Sequence, residues 1–378
     1  MATIADPRTL TQTNDHASQW QLIWSAFRRH KLAMTGAVIV VCLYLVALFC
    51  EFLAPFDPDA PVARDVYHPP QAIHFLDTTP NGGWTFRPHV TGMKQSRDRF
   101  TLKTSFAPDP DRKIYLTLFG TGTPYKLWGL IPMERRLIAA ATPGERFYFF
   151  GADRLGRDMF SRVIYGTRVS MSIGLVGVGV SLMLGLVLGG LSGYYGGFID
   201  MAVQRVVELK LSLPTIPIWL GLSAALPQDW APLTRYFAIT LILSFVGWTE
   251  LARVVRGRFL ALRTEDFVTA ARLDGGSRGR VIFRHMMPSM ASHIIASVTL
   301  AIPVMIIAET SLSFLGLGLL PPTISWGVLL KEAQNVRSIA SAPWLFVPGI
   351  AVCIAVLALN FLGDGLRDAA DPYAQEGR

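Results

Sequence analysis

Six runs with little or no charge divide the chain: residues 32–50, 169–199, 211–228, 236–249, 286–308 and 338–363. A helix needs about 20 apolar residues to cross a bilayer. The fourth run reaches that length only by taking in Glu250, Leu251 and Ala252. This pattern predicts an all-α integral membrane protein with six transmembrane helices. Pro214 and Pro217 interrupt the third run, a break that membrane helices tolerate when neighbours satisfy the freed carbonyls. A further uncharged run, 310–330, contains Pro321 and Pro322 and reads as a re-entrant or surface segment rather than a seventh helix.

Between the first two runs the texture changes. Residues 55–150 are rich in proline and aromatics, with turn signals at Asn81, Gly82 and Gly83 and at Thr121 and Gly122. Residues 114–119 read as a strand. The expected organisation is an amphipathic segment 1–31, a first transmembrane helix 32–54, a small mainly β insertion 55–160 and a five-helix core 161–378. Trp20, Ile23, Trp24 and Phe27 follow helical spacing beside Arg28 and Arg29, as in a helix lying on a membrane face. Basic residues favour the cytoplasmic side, so Arg28, Arg29 and Lys31 orient the N-terminus inward. Six spans return the arginine-rich 253–284 and the C-terminus to that side. The insertion is then extracytoplasmic, because long loops translocate largely regardless of charge. No small-residue cleavage pattern follows the first run, which is expected to stay as an uncleaved anchor.

Composition agrees: 51% of residues are hydrophobic and 16% charged, with mean hydropathy +0.38. The net charge of +8 sits mostly in loops between apolar runs, and no nucleic-acid-binding signature accompanies it. Cys42, Cys50 and Cys353 all fall inside apolar runs, as packing thiols rather than a disulfide framework. No hydrolase, metal or phosphate-loop motif occurs, so no catalytic site, metal or cofactor is expected, and the chain cannot cradle ATP phosphates in the usual way. Asp153 and Asp158 stand beside Arg154, Arg157 and Arg162, which points to a salt-bridged loop rather than acid–base chemistry. Glu250 and Glu309, at the ends of the fourth and fifth runs, are candidate gate or pathway residues. His293, alone in its run, is expected to be a packed, hydrogen-bonded neutral histidine.

Two patterns carry mechanism. Ser181, Gly185, Gly189, Gly193 and Gly197 recur every four residues, giving a helix one flat stripe for close packing. In 264–288, Thr264 is positioned to cap a helix beginning with Glu265 and Asp266, Gly275 and Gly276 break it, Ser277 caps a second helix, and Pro288 marks the return to the membrane. The result is a compact knob outside the bilayer.

That knob resembles the EAA loop of ATP-binding-cassette importer permeases. Thr269, Ala270 and Ala271 stand for its Glu-Ala-Ala, Gly275 follows at the family spacing, and the segment closes on Met286, Met287 and Pro288. Thr269 in place of Glu and Met287 in place of Leu are departures, and the first removes any charge contact the Glu would make. Gly151, Asp153, Gly156, Arg157, Asp158, Ser161 and Arg162 resemble the signature before the second span of oligopeptide, dipeptide and nickel permeases, with Ala152 where Thr is usual. The stretches 311–318 and 360–372 resemble it too, and the enlarged first outer loop is similar to that of one subgroup.

The resemblance implies the six-helix fold of type I importers and transport rather than catalysis. It also implies a second homologous permease lining a shared pathway, two cytoplasmic ATPase subunits that receive the knob, and an extracytoplasmic solute-binding protein, all at a bacterial inner membrane. Peptide is the default cargo, with nickel, opines and other small solutes left open. An ion-gradient-driven transporter would predict inverted repeats and charges at the membrane midplane, and neither is apparent. A membrane-anchored receptor would leave the knob unexplained.

Overall fold

A computed structural model describes residues 19–78, 84–97 and 104–370. Helix α1 (Gln19–Arg29) leads into α2 (Lys31–Leu48) and a single turn, α3 (Cys50–Leu53). Six strands follow: β1 (Ile73–Thr78), β2 (Trp84–Arg97), β3 (Thr104–Leu118), β4 (Thr121–Leu127), β5 (Ile131–Arg135) and β6 (Ile138–Ala140). The remainder is helical: α4 (Met159–Tyr195), α5 (Gly197–Ser212), α6 (Thr215–Ala224), α7 (Pro232–Leu262), α8 (Asp266–Leu273), the short α9 (Arg278–Arg280) and α10 (Met287–Ser289), α11 (Ala291–Phe314), α12 (Trp326–Leu330), α13 (Val336–Ser341) and α14 (Val347–Ala370).

Among the described residues, five helices are long and apolar enough to cross a bilayer, and the pair α5–α6 makes a sixth only if it counts as one bent span. The expected third run, 211–228, does not form one helix. Leu213 is extended before Pro214, and α5 and α6 meet at 88°. Proline drives its predecessor out of helical geometry and ends the preceding helix there. Ten residues of α6 rise about 15 Å, half a bilayer. Helix α5 went unread because Asp200, Arg205, Glu208 and Lys210 break its apolar pattern.

Helices α4 and α7 outrun their apolar runs. Helix α4 begins ten residues before 169, where Asp158 caps it, and ends at Gly196, whose φ of +66 suits glycine. Helix α7 continues past Glu250 through Arg253, Arg256 and Arg258, so Glu250 lies inside the helix and not at its end. The run 310–330 likewise divides: 310–314 finish α11, and only the stretch from 315 onward folds back toward α12.

Helix α4 packs most extensively on α7, with α11, α14 and α2 completing the bundle. The small-residue stripe lies in the α4–α7 contact. Ser181 Oγ donates to Ser244 O at 3.0 Å, and side chains at Gly185 and Gly193 would meet Leu251 Cβ and Phe259 Cβ at 2.8 and 2.7 Å. Gly197 does not join it: the helix has already ended, and the glycine faces open space. Helix α1 buries Phe27 against Ala33 and Ala369 and leaves Trp24 exposed, so part of the face expected on lipid packs on α14. The side chain of Trp20 lies outside the described residues.

The strands form an antiparallel sheet in the order β1-β2-β3-β6 and a separate hairpin, β4–β5. Phe56, Val90, Ile114 and Phe147 make its small core. Residues 114–118 belong to the much longer β3, and at Phe119 and Gly120 the strand only kinks, with Phe119 N donating to Leu137 O and Arg136 N to Gly120 O. Thr121 and Gly122, expected as a turn, begin β4, which continues in the same direction against β5. Asn81, Gly82 and Gly83 lie outside the described residues. The β region is fastened to the bundle by Arg136, which is buried and donates to Glu51 O at 3.2 Å and Ala54 O at 2.5 Å. Those carbonyls belong to a helix end, where intrahelical donors run out.

Candidate functional site

The loop between α7 and α11 folds as a small unit. Val268, Val281, Met286 and Met290 are buried on Val255 and Phe259 of α7. Its caps differ from expectation: Glu265, not Thr264, occupies the cap position of α8, and Thr264 Oγ1 turns back to Ala261 O at 3.0 Å. Gly275 takes φ +78, and its N–H donates to Arg272 O at 3.0 Å. Gly276 N donates to Ala271 O at 3.1 Å, and a side chain there would press on that oxygen at 2.5 Å. Ser277 Oγ accepts from Arg280 N at 3.4 Å. A π-helical turn, Val281–Met286, then leads to Pro288.

What this knob leaves outside is informative. Thr269 and Ala270 are exposed and Ala271 is half-buried. Leu273 is 82% exposed and Phe283 71%, with Phe267 also open. Sequence reading saw a basic knob and missed these apolar side chains, which interrupt no periodicity. Two exposed arginines lie over aromatic rings: Arg272 over Tyr194 at 5.2 Å and Arg278 over Tyr195 at 5.5 Å, joining the knob to the end of α4. Nearby, Arg256 of α7 grips Asp200 of α5 with both contacts at 2.6 Å, and Ser192 of α4 donates to the same carboxylate.

At the other end of α4, the loop 151–162 is a fastener. Asp153 accepts from Leu155 N (2.8 Å), Arg157 N (3.0 Å) and Arg157 Nε (2.7 Å), with Arg162 Nε at 3.6 Å. Gly151 and Gly156 take φ +73 and +71. Asp158 stands apart from this ion pairing, contrary to expectation. It is buried, and its Oδ2 accepts from Ser161 N at 2.8 Å and Ser161 Oγ at 2.6 Å. Burial pushes its carboxyl up to about 6, against the pull of those hydrogen bonds. Arg154 and Arg157 reach instead to Glu332, at 3.3 and 3.6 Å, whose carboxyl is also raised by burial. Arg162 donates to Pro58 O at 2.8 Å, and Trp344 Nε1 to Ala152 O at 2.9 Å. Three distant stretches of chain therefore meet around one loop, beside a cleft of about 660 Å³ lined by Tyr67, Arg154, Lys331 and Glu332.

Glu309 is wholly buried, not at a water-facing end as its place in the sequence suggested. Ser313 and Ser325 donate to its Oε1 at 2.7 Å each, and Ser170 to Oε2 at 3.4 Å. Ser325 also caps α12, so this carboxylate pins the fold-back segment to α11 and α4. From the opposite side Arg235, buried, donates to Gly318 O at 2.8 Å and Pro227 O at 3.1 Å. No local motif singled out Arg235. Glu250 is exposed on α7, and His293 contacts Arg258 Nη2 at 3.1 Å. At the end of α2, Arg168 holds Glu51 with contacts of 2.5 and 2.6 Å, a pair that no local motif announced.

Comparison with known proteins bears on this arrangement directly. Residues 185–375 match the family described as binding-protein-dependent transport system inner membrane component, and residues 18–70 match the N-terminal TM domain of oligopeptide transport permease C. The strands from 73 to 140 fall between the two matched stretches. Among similar proteins, the oligopeptide transport system permease protein OppC of Bacillus subtilis is 34% identical over 237 residues, 62% of this chain and 75% of that one. Its counterpart in Haemophilus influenzae is 36% identical, covering 62% and 74%. The dipeptide transport system permease protein DppC of Alkalihalophilus pseudofirmus is 37% identical over 226 residues, covering 60% and 72%. A solved inward-facing structure of the MetNI methionine ABC transporter aligns with TM-score 0.45 at 17% identity, over 56% of this chain and 98% of that one. The chain belongs to the binding-protein-dependent inner membrane transport components.

Proposed function

We propose that this chain is the permease subunit of an ATP-driven importer for oligopeptides or dipeptides at a bacterial inner membrane. It forms the pathway with a second, homologous permease. Two cytoplasmic ATPase subunits drive it, and an extracytoplasmic binding protein delivers cargo. The observation that carries the reading is the knob at 264–288: Leu273 and Phe283 stand exposed on a unit that is itself rigidly fastened to α4 and α7. Exposed apolar side chains on a charged loop outside the bilayer call for a protein groove.

In this mechanism ATP closes the paired ATPases and draws two knobs together. The α4–α7 pair, locked by Gly185, Gly189 and Gly193, moves as one body and switches the helix packing between its two access states. The termini and the knob lie in the cytoplasm, and residues 55–160 outside, flanking the binding protein's docking site. Glu309 and Arg235 tie the fold-back segment to that body, so it moves with it, and Glu250, exposed on α7, borders the pathway. The test is reconstitution with ATPase, second permease and binding protein in liposomes. Peptide-stimulated ATP hydrolysis and peptide uptake are expected, both abolished by Leu273→Asp at unchanged membrane abundance. Unimpaired uptake by Leu273→Asp would remove the coupling role.

A further inference from the structure

We infer that the tip of the β4–β5 hairpin, Trp128 to Ile131, is a lipid anchor that seats in the headgroup–acyl boundary of the leaflet where α2 ends. Trp128 Nε1 donates to Leu48 O at 2.7 Å, and Leu48 is the last residue of that membrane helix. The indole ring lies 6.0 Å from Phe49. Leu48 O also accepts from Arg168 Nη2 at 3.1 Å, and the indole bond fixes the height of the hairpin at the span's end.

The occupant follows from continuity. Along α2 the residues Val38, Val41, Leu45 and Leu48 are exposed at helical spacing, a stripe that a membrane span turns to lipid. The stripe runs directly into Trp128, Leu130 and Ile131, of which Leu130 is 79% exposed. Lys126, two residues before Trp128, is exposed for headgroup phosphates. Tryptophan prefers this boundary, with its ring in the apolar phase and its N–H paired.

The turn itself speaks for a role beyond folding. Trp128 and Gly129 both take positive φ, +53 and +72, with Gly129 N and Leu130 N donating back to Lys126 O and Leu127 O. Hairpins of this kind favour Asn-Gly, and a bulky side chain in the left-handed region is strained.

The inference needs only that α2 spans a membrane, so it stands or falls apart from the transport assignment. With Cys42, Cys50 and Cys353 replaced, an environment-sensitive fluorophore is attached at Leu130→Cys or, as the polar control, Lys94→Cys. The full chain is placed in nanodiscs carrying nitroxide lipids labelled at the headgroup, carbon 5 or carbon 12. The Leu130 label is expected to be quenched by headgroup and carbon-5 probes at least about threefold more than the Lys94 label, as interfacial seating requires. Added Trp128→Asn should reduce that quenching while leaving protein yield unchanged. Iodide quenching equal at the two positions, with no lipid quenching, would overturn the anchor. So would loss of lipid quenching on co-expression of a second permease with a photo-crosslink from position 130 to it.

Discussion

The two loops at opposite ends of α4 are built from the same materials and do opposite things. Both carry glycine at positive φ, two in 151–162 and Gly275 in 264–288, and several arginines. In 151–162 most charges are buried and ion-paired within the chain, Asp153 with Arg157 and Arg162 and Arg157 with Glu332, although Arg162 Nε, Asp158 Oδ1 and Glu332 Oε2 make no hydrogen bond, and the glycines close the loop on itself. In 264–288 the arginines face aromatic rings and solvent while Leu273 and Phe283 stay uncovered. A loop whose charges pair within the chain is a fastener. One that folds rigidly yet leaves apolar side chains outside is half of an interface.

The contrast can be broken at its strong end first. Asp153→Ala removes the buried carboxylate that accepts from Leu155 N, Arg157 N and Arg157 Nε and leaves buried Arg162 only the exposed Asp59 as a counter-charge, a loss of about 3–5 kcal/mol. The expected outcome is a sharp fall in melting temperature in detergent and in membrane abundance. At the other end, Gly275→Val meets no neighbour within 4 Å, so its cost is confined to the left-handed backbone, about 1–3 kcal/mol. Membrane abundance should stay near normal while co-purification of the ATPase is lost. Normal transport by this variant would reduce the knob to a connector.

A smaller effect is expected from Asp158. Its folded pKa, about 6, lies above the ordinary 3.8, so burial favours the protonated form. The stability it contributes is full below about pH 4 and is lost as pH rises through 6. Asp158→Asn keeps the cap to Ser161 and should raise stability at pH 7–8 by about 1–2 kcal/mol, with no gain at pH 4. Thermal unfolding across that range checks the sign. The smallest change is Leu273→Asp, within about 0.5 kcal/mol in stability because the side chain is exposed. It separates the two loops by function alone: unfolding unchanged, ATPase retention lost.

Much of this was legible in the chain because the signals are local. Gly275 and Ser277 announce a helix break and a cap within a few residues, and Gly185, Gly189 and Gly193 recur at the period of one helix face. The environment of Glu309 was not legible. Its three serine donors come from α4, α11 and the start of α12, and only tertiary packing brings Ser170 to a residue 139 positions away. Helix α5 escaped for a different reason: its charges interrupt the apolar run, and Arg256, which pairs with Asp200, lies 56 positions away on α7. The partner of a charge decides what it means, and partners are not written in sequence order.

The length of α4 has a mechanical consequence. Its 37 residues rise about 55 Å against a hydrocarbon core of about 30 Å, so one unbroken rod joins the Asp158 cap to the tyrosines beneath the knob. A rod that overhangs its support on both sides is a lever. Pivoting by about 10° near its middle would carry each tip roughly 5 Å, comparable with the rise of one helical turn. A modest tilt imposed at Tyr194 and Tyr195 would arrive at the opposite end as a displacement in the reverse direction, with no soft joint along the way to absorb it.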